Sequence, residues 1–154
     1  MFALTSSLAE GALLATILLV AAWIDYRTMR IPNLVNLALG LAGLIVAWLD
    51  ANLLNALLGA AFGYALLAGV NFLYRTARGR DGIGMGDAKL LAGSGAWIGW
   101  MGLPFAVLLA SALGLAFVAA LRIAGRELTG ADRLPFGPFL CLAVMIVWIV
   151  LQLH

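Results

Sequence analysis

Charge is scarce in this chain. Of its 154 residues, nine are Lys or Arg and seven are Asp or Glu, together 10%, with one His and one Cys. The single cysteine, Cys141, excludes an intramolecular disulfide and a clustered-thiol zinc site, and within its apolar run it reads as a packing residue. His154 is terminal and alone, and no role is assigned to it. No Lys or Arg occurs between Met1 and Ala9, so the basic region of a cleaved signal peptide is missing and the first apolar run is expected to stay as a span. The formal net charge is +2 and the sequence pI about 9.1. The basic residues lie in short stretches between apolar runs, which speaks against a nucleic-acid surface and for topology signals.

What the chain has in excess is apolar surface. Hydrophobic residues make up 65% of it and the mean hydropathy is +1.09, far from the balance of a soluble domain. A helix needs about 20 apolar residues to cross the roughly 30 Å hydrocarbon layer, and runs this long in lipid must satisfy their own backbone groups as helices. Apolar stretches cover 6–24, 31–49, 51–74, 90–121 and 134–153. The fourth is too long for one ordinary span. It is interrupted at Trp97-Ile98-Gly99-Trp100-Met101-Gly102-Leu103-Pro104, where aromatic residues suit a membrane interface and Pro suits the first turn of a new helix. The expectation is an all-α, polytopic protein with six transmembrane helices, forming one domain over 1–154.

Six alternating spans place 25–31, 75–89 and 122–133 on one side, and these hold Arg27, Arg30, Arg75, Arg78, Arg80, Lys89, Arg122, Arg126 and Arg133, every Lys and Arg in the chain. The positive-inside rule makes that side cytoplasmic, with both termini outside the cytoplasm. Five spans would export the last three arginines. Glu10 and Asp50 fall on the outer side as boundary charges. Gly59-Ala60-Ala61-Phe62-Gly63 and Gly95-Ala96-Trp97-Ile98-Gly99 carry the spacing that lets helices approach closely.

Two carboxylates stand out against this background. Asp25 closes the first apolar stretch, and Asp87 lies in Gly84-Met85-Gly86-Asp87-Ala88-Lys89-Leu90-Leu91, between glycines and a long apolar run. Only 13 residues separate the start of span 4 at Ala88 from Trp100, roughly 20 Å of helix, so Asp87 is expected to lie recessed in a small wet cleft at the cytoplasmic face. A carboxylate there is costly and marks function. Two acids in reach of each other share a proton: the carboxylate deprotonates a water while the acid polarises a scissile carbonyl, with no metal or cofactor needed. Helix dipoles suggest Asp25, at a helix C-terminus, as the resting acid and Asp87, at an N-terminus, as the resting base. The plainer readings are a loop charge beside Arg27 for Asp25 and a helix N-cap for Asp87. Lys89 either snorkels to the interface or binds an acidic group on a substrate.

Taken in order, Asp25 with Ile31-Pro32-Asn33, then Gly84-Met85-Gly86-Asp87-Ala88-Lys89-Leu90-Leu91 with Gly95-Ala96-Trp97-Ile98-Gly99-Trp100, then Leu134-Pro135-Phe136-Gly137-Pro138-Phe139, resemble the type IV prepilin peptidase family from about residue 20 onward. The resemblance implies a membrane aspartic endopeptidase of the cytoplasmic (inner) membrane. Such an enzyme removes the short basic leader of prepilin or pseudopilin-like precursors at the cytoplasmic face, after a glycine that precedes an apolar helix. Asp25 and Asp87 stand at the family's catalytic positions. Gly84, Gly86, Lys89, Pro135, Phe136, Gly137 and Pro138 are expected as substrate-binding or loop positions, the glycines leaving room for an extended substrate backbone. The implied partners are those precursors and membrane lipid, not nucleic acid. Longer members also N-methylate the new terminus through a cytoplasmic segment near the N-terminus. Here Ala22 to Asp25 follow the first span directly, which implies peptidase activity alone, as in short members serving Tad-like pili or archaeal preflagellins.

The rival class is a non-enzymatic assembly subunit or a small transporter. A transporter would place charge near the bilayer midplane and show related halves, and neither is evident in the sequence.

Overall fold

The computed structural model describes residues 2–79, 84–125 and 135–153. They form five α-helices, with no strand among the described residues: α1 (Phe2–Thr28), α2 (Asn33–Leu49), α3 (Leu53–Arg78), α4 (Met85–Ile123) and α5 (Gly137–Gln152). Ser7–Thr28, α3 and α4 are long and apolar enough to cross a membrane, while α2 and α5 are shorter apolar helices.

The helix ends follow local chemistry. Pro32 fixes its own φ and disfavours helix at Ile31, so α1 and α2 are separated by a tight turn in which Met29 takes φ 53°. The Thr28 hydroxyl donates to the carbonyls of Ile24 and Arg30 across that turn. Gly79 ends α3 in the left-handed conformation, its N–H donating to the Arg75 carbonyl. Several helices outrun the apolar stretches that announce them. Asp25 and Arg27 lie inside α1, Arg75 and Arg78 inside α3, and Met85 to Lys89 inside α4. The loops expected at 25–31 and 75–89 are shorter by those residues. Arg80 and Asp81 to Ile83, Arg126, Arg133 and Leu134, and His154, lie outside the described residues.

At 39 residues α4 would measure about 58 Å if straight, nearly twice the hydrocarbon thickness. It is broken at Gly99, where φ 65° and ψ 175° interrupt the helix. Contacts show that the two halves run in opposite directions. Along the first half, Lys89 bonds Asn33 and Trp97 bonds the Leu39 carbonyl, parallel to α2. Along the second, Gly102 abuts Val147 while Gly114 and Phe117 meet Phe139, antiparallel to α5. The break falls five residues before Pro104, so proline sits past the first turn of the new segment instead of within it. Trp97 also joins α2 to α4 through its indole N–H, a packing role that the sequence reading did not include.

The first half of α4 is central. It lies against α2 and α3, and α1 packs mainly on α5. The core is made by Leu14, Leu39, Leu90, Leu91, Leu103, Leu140 and Val144, all fully buried. On the outward faces Leu19, Leu41, Leu54, Phe72, Phe105 and Leu108 are exposed, a surface suited to lipid and costly in water.

Candidate active site

Asp25 is three residues from the end of α1 and is 6% exposed. Burying a carboxylate requires partners. The one identified is the backbone N–H of Gly137, the first residue of α5, which donates to Asp25 Oδ2 at 3.0 Å. The contact joins residues 112 apart in sequence.

Asp87 is the third residue of α4, with Gly84 as the cap residue. It therefore lies within the first turn and is not the N-cap weighed from sequence. A side chain on Gly84 would stand 3.5 Å from Asp87 Oδ2, and one on Gly86 would stand 3.6 Å from Ile31. Gly84 thus faces the carboxylate, while Gly86 faces the α1–α2 turn. Asp25 and Asp87 lie within electrostatic reach of each other, and the buried Cys141 thiol lies within reach of both. Both carboxyls consequently sit at helix N-termini, Asp87 in its own helix and Asp25 against α5. Asp25 also keeps its place in the last turn of α1, so the N-terminus of α5 offsets part of the dipole asymmetry that separated a resting acid from a resting base in the sequence.

Neighbouring polar groups link the elements that carry the acids. Lys89 Nζ donates to Asn33 Oδ1 at 2.8 Å, tying α4 to the start of α2. This is a third role for Lys89 beside snorkelling and substrate binding. Asn36 Nδ2 donates to the Gly86 carbonyl at 3.4 Å, and Asn36 Oδ1 is buried without a partner among the described residues. Asn71 on α3 reaches Met85 Sδ at 4.0 Å. Pro135 and Phe136 are half-buried and lead into α5, where Pro138 occupies the second helical position. Beside Lys89 an apolar groove of about 450 Å³ runs along α2, α3 and α4, lined in part by Asn33, Asn36, Gly40, Leu44, Ala60 and Gly93.

Sequence reasoning missed Asn36, whose signal was a lone amide in an otherwise apolar helix. It also missed the direct contact of Gly137 with Asp25, for which a single sequence carries no signal.

An apolar helical bundle that holds two acids from separate helices within electrostatic reach near its arginine-rich end defines a class, an all-helical protein with membrane-crossing helices and two neighbouring carboxylates. Residues 12–119 match the type IV leader peptidase family, and the chain belongs to that family. The matched stretch contains Asp25, Gly84, Gly86, Asp87 and Lys89, while the Pro135–Pro138 segment lies beyond it. The chain is 42% identical over 137 residues to a prepilin leader peptidase/N-methyltransferase of Burkholderia pseudomallei (strain 1026b), covering 88% of this chain and 44% of that protein. It is 38% identical over 143 residues to the protein of that name from Aeromonas hydrophila, covering 90% and 49%. A third, from Pseudomonas aeruginosa, is 38% identical over 135 residues, covering 85% and 46%. The chain thus spans less than half the length of these relatives. No solved structure matches it.

Proposed function

We propose that the chain is a membrane-embedded aspartic endopeptidase that removes the short basic leader of type IV prepilin-like precursors. The observation that carries this reading is that Asp25 and Asp87, from α1 and α4, stand within electrostatic reach of each other in a member of the leader peptidase family. One carboxylate takes a proton from water as the water oxygen attacks the scissile carbonyl. The other, protonated, donates to the carbonyl oxygen; the first then passes the proton it took from water to the leaving amine as the C–N bond breaks, and the diol returns a hydroxyl proton to the second. Six spans result when α4 is counted as two, and they put both termini outside the cytoplasm and the acid pair at the cytoplasmic face of the inner membrane.

The groove beside Lys89 supports a substrate whose apolar helix stays in the bilayer while its leader remains cytoplasmic. Such a substrate presents its cleavage site at the level of the acids. Gly84, with no side chain over Asp87, leaves room for the extended backbone.

The test is cleavage of a membrane-embedded prepilin-like substrate by wild type, Asp25→Asn and Asp87→Asn, each checked for folding. Either substitution is expected to lower cleavage by roughly 10²- to 10⁴-fold, the range for loss of a general acid or base. Near-normal cleavage by a folded variant would remove that carboxylate from the mechanism. Absence of cleavage even by wild type would favour an assembly subunit.

A further inference from the structure

We propose that Gly137 is a positioning residue for Asp25, its backbone N–H holding Oδ2 so that Oδ1 is the oxygen left to meet water. The role rests on the peptidase reading above, but the contact itself does not. Three observations converge on it. The Gly137 N–H donates to Oδ2 at 3.0 Å between buried residues. A Cβ on Gly137 would stand 2.5 Å from Oδ2 and 2.9 Å from Cγ of Asp25, inside any tolerated contact. A side chain at this point must therefore displace the Asp25 carboxyl, which occupies the volume it would fill. Pro138 follows at the second helical position with no N–H to offer, and the Leu140 N–H turns back to the Phe136 carbonyl. In the first turn of α5 the Gly137 amide is thus placed for the carboxylate, and Pro138 pre-sets the φ that starts the helix there.

The segment Pro135-Phe136-Gly137-Pro138 accordingly gains a role different from substrate contact. It delivers a helix N-terminus to a carboxylate on another helix. An amide donor of fixed direction restricts the rotation of the Asp25 carboxyl about its Cβ–Cγ bond. A carboxyl free to rotate would spend only part of its time with an oxygen in line with the attacking water. Among the described residues, Asp87 and Cys141 are the other titratable groups facing Asp25, from α4 and α5. Neither restrains Oδ2 through an identified hydrogen bond.

Two measurements test this. The first is independent of activity. Phe-Gly occurs only at Phe62-Gly63 and Phe136-Gly137, so labelling Phe carbonyl carbon with ¹³C and Gly nitrogen with ¹⁵N leaves two carbonyl-coupled amide resonances in the micelle-bound protein. In Asp25→Ala the Gly137 amide proton is expected to shift strongly while the Gly63 amide stays in place. An unmoved Gly137 resonance would overturn the contact.

The second is kinetic. Gly137→Ala pushes the Asp25 carboxyl aside and is expected to lower kcat about 100-fold, the effect of a misplacement near 1 Å, with KM within about threefold. Gly69→Ala, in open space on α3, serves as the control and keeps both. A folded Gly137→Ala with wild-type kcat would overturn the positioning role. If Gly137→Ala does not fold, the amide resonance decides. A wild-type protein that cleaves nothing but shows the Asp25-dependent amide would remove the peptidase reading and keep the contact.

Discussion

Asn36 is a buried amide on an apolar helix, and only half of it is hydrogen-bonded. Its Nδ2 reaches the Gly86 carbonyl over a long 3.4 Å, and its Oδ1 has no partner among the described residues while Asn36 is 7% exposed. A buried acceptor left unmade costs about 1–3 kcal/mol, and a hydrogen bond this long returns little of it. Stability alone would favour leucine at this position. Asn36 is the α2 group that reaches the turn before Asp87, so its retention fits a need to hold that turn in register. Asn36→Leu is therefore expected to leave the thermal midpoint in detergent unchanged or higher and to lower cleavage roughly fivefold, the equivalent of about 1 kcal/mol. A variant that unfolds at a clearly lower temperature would show that Asn36 stabilises the fold instead. Lys89 acts at the same scale, since its bond to Asn33 joins two segments that had been singled out separately in the sequence.

At the scale of helices, glycine sets how closely α3 and α4 approach. A Cβ on Gly59 would run into the Gly95 carbonyl oxygen, and one on Gly95 into that of Gly59. On Gly63 it would stand 2.6 Å from the Leu91 carbonyl oxygen. These obstacles are backbone and cannot rotate away, so the helices must separate. Gly59→Ala or Gly95→Ala is expected to destabilise by about 1–3 kcal/mol, as overpacking does, read as a lower midpoint in thermal unfolding. Equal midpoints for wild type and Gly59→Ala would show that the two helices are not held at this distance. The spacing of these glycines was readable from sequence, because a four-residue repeat keeps them on one face. The break in α4 was readable only to within 97–104. Length demanded a break, while the signals used were aromatics and proline. The break itself falls where a backbone of φ 65° and ψ 175° is open to glycine alone. Helix ends were read short at Asp25, Arg27, Arg75 and Arg78 because apolar runs measure the hydrocarbon layer, and arginine extends a helix readily beyond it. Asp25 and Asp87 were legible because charge is expensive in such surroundings. Gly137 was not legible as the partner of Asp25, since that contact depends on how α1 and α5 pack.

Across the whole molecule, charge is sorted by end. Arg27 lies in the last turn of α1 and Arg30 just after it, Arg75 and Arg78 close α3, and Lys89 lies near the start of α4. Arg122, carried back by the reversal at Gly99, ends α4. All six lie at the end that holds Asp25 and Asp87. Glu10 and Asp50 lie at the other, lining a cavity of about 520 Å³ with Asn52, Asn55, Trp97, Trp100 and Trp148. Without the reversal Arg122 would stand far beyond the opposite surface, so one glycine conformation keeps the described basic residues together. In the proposed topology, retention of these basic segments in the cytoplasm sets the orientation of the acid pair. With Cys141 replaced by alanine, single cysteines at Asn52 and at Met29 or Thr76 report the two ends. Asn52→Cys is expected to react with a membrane-impermeant maleimide in intact spheroplasts, and Met29→Cys and Thr76→Cys only after permeabilisation. The reverse pattern would turn Asp25 and Asp87 outward, away from any cytoplasmic leader, and the peptidase reading would then need a substrate whose cleavage site is exported before it is cut.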